Sequence, residues 1–509
     1  MRIERNRPSG LRYVFMIIFG SLLVNVHAEA AERSFEVQFT SDAHAGPFSG
    51  RVYVIFSKRR QEPRLGPNWF SPEVFVARDV QGVKPGDVVR FGGQAADKAV
   101  LAYPRSLNRL ELTGYRAQAV IRFNPHDRNI GTGAGNGYSA VVELGSDSKK
   151  PVRLTVDQRV PEREFRETKW SKLLKVESKL LSDFHQRPVF LKAAVILPAS
   201  YFQQPQRRFP TVYTIPGFGG THHSGSRNAP VRENNRGSVE FIRVLLDPSC
   251  PLGHHVFANS ANNGPVGDAL VTELIPAFDK AYRSIAQPNA RFLTGHSSGG
   301  WSSLWLQVTY PQHFGGTWST APDPVDFRDF QRINLYRDQE NMYKDASGAD
   351  RPLARVRGQV RLWYQGFAEM EWVLGPGGQL HSFEAVFSPR GKDGKPLLVW
   401  DRATGRVDTR VARTWEKYDI RLVLERNWQK LKPQLAGKIH VHMGELDTFY
   451  LEGATRLLKH SLAELQSDAV VEMHPGKDHG SLMTAELRSR IRSEMVDSFL
   501  SHYPDAGTP

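Results

Sequence analysis

Serine, aspartate and histidine stand in this chain at three places where a hydroxyl could be turned into a nucleophile. The stretch Arg291-Phe-Leu-Thr-Gly-His-Ser-Ser-Gly-Gly300 joins a short apolar run to a helix-prone segment through Gly295-His296-Ser297-Ser298-Gly299. A serine hydroxyl is a weak nucleophile at neutral pH. It needs a sharp strand-to-helix turn that exposes it to a base and sets it beside backbone N–H donors. Gly295 and Gly299 remove side chains that would clash at such a turn. Ser297 is therefore the expected nucleophile.

Upstream, Phe209-Pro-Thr-Val-Tyr-Thr-Ile-Pro-Gly-Phe-Gly-Gly220 is a β-rich run that breaks into glycines. It fits a strand and loop supplying half of an oxyanion hole, with Phe218 or Gly219 as one donor and Ser298, the residue after the nucleophile, as the other. Downstream, Gly437-Lys-Ile-His-Val-His-Met-Gly-Glu-Leu-Asp447 reads as a buried strand that delivers Asp447 at its end. A further strand, Val470-Val-Glu-Met-His474, leads into a glycine-bracketed loop with His479 at its tip. Asp447 is the expected acid and His479 the expected general base. Glu445 on the same turn, and Asp323 and Asp326 after Gly315-Gly-Thr-Trp-Ser319, remain open as alternative acids. His296 is expected to pack beneath the turn. His222, directly after the oxyanion loop, and Trp301, on the helix after the elbow, are expected to line the substrate site.

The order Ser, Asp, His, with each residue just past a predicted strand, is the order of the α/β-hydrolase fold. The sequence resembles the esterase D-like, or putative esterase, branch of that superfamily, which includes feruloyl and acetylxylan esterases, enterochelin esterase and S-formylglutathione hydrolase. The resemblance rests on Gly295-His-Ser-Ser-Gly-Gly300, Gly444-Glu-Leu-Asp-Thr-Phe449, Gly476-Lys-Asp-His479 and Glu273-Leu-Ile-Pro276, and covers roughly residues 188–320 and 436–503. It implies Ser297 as nucleophile, Asp447 as acid and His479 as base. Ser298, where the family often has a larger apolar residue, and a long insertion before the acid strand depart from the pattern.

The expected architecture is thus α/β: a mostly parallel sheet flanked by helices over residues 188–509. A cap or lid is expected to be inserted at about 323–435. Five of the ten tryptophans fall in that insertion, at positions 363, 372, 400, 415 and 428, and are expected mostly to form its core. Residues 31–160 show short alternating runs such as Arg51-Val-Tyr-Val-Ile-Phe56 and Gln118-Ala-Val-Ile-Arg-Phe123, separated by turn residues, and predict a β-sandwich-like domain. Residues 161–187, charged and helix-prone or irregular, are read as a connector. Trp69-Phe70 in a proline-flanked loop fits the edge of a core better than a sugar platform.

Arg2, Arg5, Arg7 and Arg12 precede an apolar run over 13–24, and Ala28-Glu-Ala30 offers small residues for cleavage, which together predict a signal peptide at 1–30. An exported protein, periplasmic or extracellular, follows. Cys250 is the sole cysteine, so stability in an oxidising compartment cannot come from an intrachain disulfide. The formal charge is +14 at pH 7; residues 1–30 hold four arginines and two glutamates, so the rest carries +12. Basic residues are scattered and no nucleic-acid motif accompanies them. No cofactor is expected, and no metal, because adjacent histidines such as His222-His223 and His254-His255 point their rings apart on a strand. These readings converge on an exported serine hydrolase acting on a small-molecule or polysaccharide-linked ester. An acyltransferase on the same triad, a peptidase and an inert binding protein stay as alternatives, and oligomeric state is not legible.

Overall fold

Alternation of side chains along Phe48–Ser57 accounts for how the N-terminal region is built in the computed structural model, which describes residues 33–66, 69–92, 98–146, 150–227 and 239–507. Val52, Val54 and Phe56 point into a core made by the N-terminal strands themselves. Tyr53 and Ile55 point the other way, into a cluster shared with the rest of the protein. A strand buried on both faces reads as a nearly continuous apolar run, as this one does. The strands between Phe35 and Arg159 form one nine-stranded sheet. Hydrogen bonding therefore does not divide them into the two stacked sheets expected of a sandwich. Phe35 and Phe56 lie on strands four steps apart in the sheet, about 19 Å if it were flat, yet their ring centroids are 5.0 Å apart. The sheet curls onto itself and encloses its own core, which is why its turn-punctuated runs resemble those of a sandwich.

The second sheet has eight strands: β1 (Ser171–Glu177), β2 (Phe190–Ile196), β3 (Thr211–Ile215), β4 (Ile242–Leu246), β5 (Arg291–His296), β6 (Gly316–Thr320), β7 (Ile439–Gly444) and β8 (Val470–His474). Their order is β1-β2-β4-β3-β5-β6-β7-β8. β2 runs antiparallel to both neighbours and every later pair is parallel. This is the α/β-hydrolase topology. The segment read as a connector supplies β1, so the sheet begins before residue 188. As an edge strand with Lys172, Lys175 and Glu177 interleaved among its apolar residues, it reads as polar sequence although it is paired.

Alternate residues of the central strands feed opposite faces. Tyr213, Ile215 and Leu293 pack with a helical segment over 266–281. Val212, Phe292 and Trp318 pack with Leu487, Ile491 and Met495 of the C-terminal helix Ala485–Leu500. Helix α1 (Ser298–Thr309) follows β5 and is buried almost all round, its buried Ser302 and Ser303 hydroxyls bonded to the carbonyls of Ser298 and Gly300.

Between β6 and β7 the chain forms the strand pair Pro352–Val356 and Gln359–Trp363, then α2 (Tyr364–Leu374), α3 (Gln379–Phe387) and α4 (Ile420–Leu435). Trp400, Trp415 and Trp428 are buried here with Phe327, Phe330 and Phe387, whereas Trp363 and Trp372 are exposed. The N-terminal domain grips this insertion at the end of α2. Arg51 Nη1 donates to the carbonyls of Trp372 and Val373, Tyr53 Oη to Leu374, and Arg122 Nη1 to Pro376. The first three are carbonyls that the end of a helix leaves without partners, and cationic donors are favoured there. Among the described residues no helix is long and apolar enough to cross a membrane; the expected signal peptide lies outside them.

Candidate active site

Between β5 and α1 the backbone turns at Ser297, with φ 62° and ψ −127°. Positive φ at a residue with a side chain is costly and persists where the surroundings over-determine it. Here Ser297 N–H donates to the Thr320 carbonyl at 3.0 Å, and the Ser297 carbonyl accepts from Trp301 N–H at 3.0 Å. The flanking glycines are required by contact as well as by angle. A Cβ on Gly295 would lie 2.0 Å from the Gly299 carbonyl oxygen, and one on Gly299 would lie 1.9 Å from that of Ile215.

The loop after β3 comes to the serine. A Cβ on Gly217 would stand 3.1 Å from Ser297 Cβ and 3.7 Å from its Oγ. Gly219 takes φ 87°, and Gly220 N–H is committed to the Gly217 carbonyl at 3.0 Å. His254 supports the loop from below. Its Nδ1 accepts from Val256 N–H at 3.1 Å, so its Nε2 carries the proton and donates to the Pro216 carbonyl at 3.0 Å. Burial pushes His254 down to about 4 and His255 to about 3, keeping both neutral. This pair is a scaffold for the loop.

At the far side of the site, Asp447 follows β7 and His479 follows β8. His479 Nδ1 lies 2.7 Å from Asp447 Oδ2, and Asp447 Oδ1 accepts from Phe449 N–H at 2.8 Å. The Asp447 side chain is fully buried. Burial disfavours the His479 imidazolium, but the Asp447 carboxylate, with Asp323 and Asp478 farther off, outweighs it and raises the His479 pKa above the ordinary histidine value. His296 packs its ring 4.6 Å from that of His479 and hydrogen-bonds through Nδ1 to Thr320 Oγ1 at 3.0 Å. Burial, and then the positive charge of His479, push His296 down to about 4, so it is a neutral support.

The three alternative acids have other partners. Glu445 pairs with Arg456 at 3.2 Å, and Asp326 is buried against Arg421 and Arg328. Asp323 accepts from Ser298 Oγ at 2.6 Å and from Gln379 Nε2 at 3.3 Å. Burial pushes its pKa up to about 6. Two expected lining residues are not at the mouth of the site. His222 is buried with its Nδ1 2.5 Å from Asp247 Oδ2 and its ring stacked on Phe165, because the chain turns inward after the glycines. Trp301 is buried against Trp305 and Phe387, as its place in the first turn of a fully enclosed helix demands.

Other residues arrive from distant segments. Trp69 of the N-terminal domain touches Phe218 of the oxyanion loop, Phe367 of α2 and Phe449 after β7, with centroids at 5.6, 5.4 and 5.8 Å. Phe449 in turn lies edge-on to His479 at 5.0 Å. Arg355 Nε donates to the Asp447 carbonyl at 3.0 Å. Nothing in the local sequence of Gln379 or Arg355 marks them, and Trp69, expected at the edge of a core, is brought here like them by packing between segments far apart in the chain.

A set of possible metal donors also escaped the sequence. His442, Glu472 and His474 on β7 and β8 place ligand atoms within 4.8 Å of one another. Arg490 already occupies the cluster, bonded to Glu472 and with Nη2 3.2 Å from His442 Nδ1. A cation would have to displace that guanidinium.

No curated protein matches this sequence. Among solved structures, a ferulic acid esterase is 13% identical with a TM-score of 0.41, the match covering 66% of this chain and 100% of that one. An S-formylglutathione hydrolase from Agrobacterium tumefaciens is likewise 13% identical, with a TM-score of 0.39 over 66% and 97%. The dipeptidyl peptidase 4 of Porphyromonas gingivalis is 11% identical, with a TM-score of 0.37 over 84% of this chain and 46% of that one. The family model described as putative esterase matches residues 190–480, from the start of β2 to the residue after His479. Because that match takes in more than half of the chain, this protein belongs to the putative esterase family.

Proposed function

We propose that the protein is an exported serine hydrolase that cleaves a carboxylic ester through an acyl-enzyme. The observation that carries this reading is the 2.7 Å contact of His479 Nδ1 with the buried Asp447 carboxylate, the His479 ring lying 4.6 Å from that of His296, the residue before the strained turn at Ser297. Ser297 Oγ attacks the ester carbonyl while His479 Nε2 takes its proton. Asp447 holds the imidazole in the tautomer that leaves Nε2 free to accept, and stabilises the imidazolium once formed. The amides of Phe218 or Gly219 and of Ser298 receive the oxyanion, each lowering the barrier by about 3 kcal/mol. The protonated His479 then gives its proton to the leaving alcohol, and water, activated by the same imidazole, releases the acid.

The aromatic wall of Trp69, Phe218, Phe367 and Phe449 favours an aryl or sugar-bearing ester, since flat apolar surfaces stack on such groups. The insertion over 323–435 acts as the cap that completes this wall.

Turnover of p-nitrophenyl acetate is the direct test. Ser297→Ala should abolish it while leaving the unfolding transition in place, and a fluorophosphonate should label the wild type at Ser297 alone. Turnover near the wild-type rate in the variant would remove Ser297 from the mechanism. Product analysis with an added sugar acceptor separates hydrolysis from acyl transfer.

A further inference from the structure

We propose that Arg128 of the N-terminal domain recognises a carboxylate on the substrate, so that the preferred esters are anionic. The inference rests on the ester reading for what the anion is attached to, but the cation site itself stands on its own geometry.

Arg128 is held rigidly. Asp127 Oδ1 accepts from Asn129 N–H at 2.8 Å and from Asn129 Nδ2 at 3.0 Å, Arg122 Nη2 donates to the Asp127 carbonyl at 2.8 Å, and Asn136 Nδ2 bonds the carbonyls of Asn129 and Ile130. This loop projects Arg128 across the domain boundary. Its guanidinium stacks over the Phe218 ring at 4.3 Å, and Nη1 donates to the Gly377 carbonyl between α2 and α3 at 3.2 Å. Nη2 faces the space above the oxyanion loop. A Cβ built on Gly219 would meet Arg128 Nη2 at 3.2 Å and, its chain neighbours aside, no other described atom within 4 Å. Gly219 is two residues from Gly217, which abuts Ser297, so Nη2 lies at most ~17 Å from the serine hydroxyl. One substituent of a bound ester spans that interval.

Charge completes the argument. Other shielded arginines of this chain have a carboxylate: Arg291 has Asp279, Arg351 has Glu340, Arg402 has Glu384 and Arg421 has Asp326. Arg122 is saturated by the carbonyls of Asp127, Pro376 and Pro251. Arg128 forms no ion pair among the described residues and bonds one carbonyl. The carboxylates around it are engaged elsewhere. Asp247 holds His222 and Ser249, Asp127 holds Asn129, and Glu371 accepts from the Leu380 and His381 amides at the start of α3. A partly desolvated guanidinium whose Nη2 lies beside the oxyanion loop without a hydrogen bond among the described residues is matched by a planar carboxylate.

Two pairs of esters matched in shape test the idea: 4-acetoxybenzoate against phenyl acetate, and mono-4-nitrophenyl glutarate against 4-nitrophenyl pentanoate. In Arg128→Gln the ratio of kcat/KM, anionic over neutral, should fall about tenfold or more in at least one pair, the loss expected when a charged hydrogen-bond partner is removed. Arg128→Lys, which keeps the charge but not the planar fork, should retain part of the ratio and lose less than Arg128→Gln. It also provides the comparison if the glutamine variant does not fold. Ratios unchanged in both pairs, or equal losses on anionic and neutral esters in both variants, would make Arg128 a structural contact and overturn the proposal. Calorimetric titration of 4-acetoxybenzoate into Ser297→Ala protein, with and without Arg128→Gln, reads the cation without turnover. Binding that depends on Arg128 in a protein whose wild type cleaves none of the four esters would sink the ester reading and uphold the cation site. Binding equal in the two proteins would sink the cation site.

Discussion

Replacing Asp323 by asparagine is expected to stabilise the protein near neutral pH and to matter little in acid. Asp323 lies at the end of β6 with its carboxylate buried beneath Ser298, and burial lifts its pKa from 3.8 to about 6. A folded-state pKa above the unfolded one means that the native state prefers the protonated acid. The associated stability is complete below 3.8 and is lost as the pH rises through about 6. A shift of about two units, at roughly 1.4 kcal/mol each, comes to about 3 kcal/mol. Part of this is already lost at moderately acid pH, so about 2 kcal/mol should separate measurements made near about pH 4.5 and about pH 8. Asparagine keeps the acceptor for Ser298 and does not ionise. Urea unfolding of wild type and Asp323→Asn at the two pH values should therefore show the variant gaining about 2 kcal/mol on the wild type as the pH rises. A difference that is constant with pH, or one that favours the wild type more at high pH, would refute the claim that this carboxylate is held in the protein interior at an energetic cost. The same substitution removes one negative charge that favours the His479 imidazolium, so the acid limb of the pH–rate profile should move to lower pH.

Asp447→Asn should lower p-nitrophenyl acetate kcat by about 10³–10⁴-fold. Because a neutral imidazole must take the serine proton, wild-type kcat/KM should fall as the pH drops through a midpoint above the ordinary histidine value of 6.5. In the variant the remaining burial should carry that midpoint downward; a midpoint that stays or rises would contradict the assigned pairing. Arg421→Leu should destabilise the fold by about 3–5 kcal/mol in urea unfolding, because Asp326 and Asp419 are fully buried beside that guanidinium. A loss below about 1 kcal/mol would mean that the pair contributes no more than a surface contact.

Sequence reasoning reached furthest where chemistry and backbone geometry coincide. A serine between Gly295 and Gly299 is legible because contacts of 2.0 and 1.9 Å leave no room for a side chain at either glycine. Asp447 is the expected acid because it ends a run that reads as a buried strand, while Glu445, Asp323 and Asp326 stay open as alternatives. The same reasoning placed His222 and Trp301 at the substrate, and both are buried. Chain adjacency to a loop or an elbow says nothing about which way the next residue turns. The edge strand Ser171–Glu177 reads as a connector because a strand paired on one side tolerates charges such as Lys172, Lys175 and Glu177.

Taken by itself, the sequence pointed to the putative esterase family. The order of the expected serine, acid and base and the spacing of glycines around them follow from local rules of turn geometry and strand patterning, which operate within a few residues. Tertiary structure decided what surrounds that serine. Trp69 and Arg128 come from the N-terminal domain to Phe218 on the neighbouring loop, Phe367 of the insertion packs on Trp69, and Gln379 bonds Ser298 Oγ, next to that serine. These contacts form because Arg51, Tyr53 and Arg122 hold the end of α2 against the first sheet. Such contacts join residues hundreds of positions apart. They depend on how whole faces pack and leave no periodic or local trace along the chain.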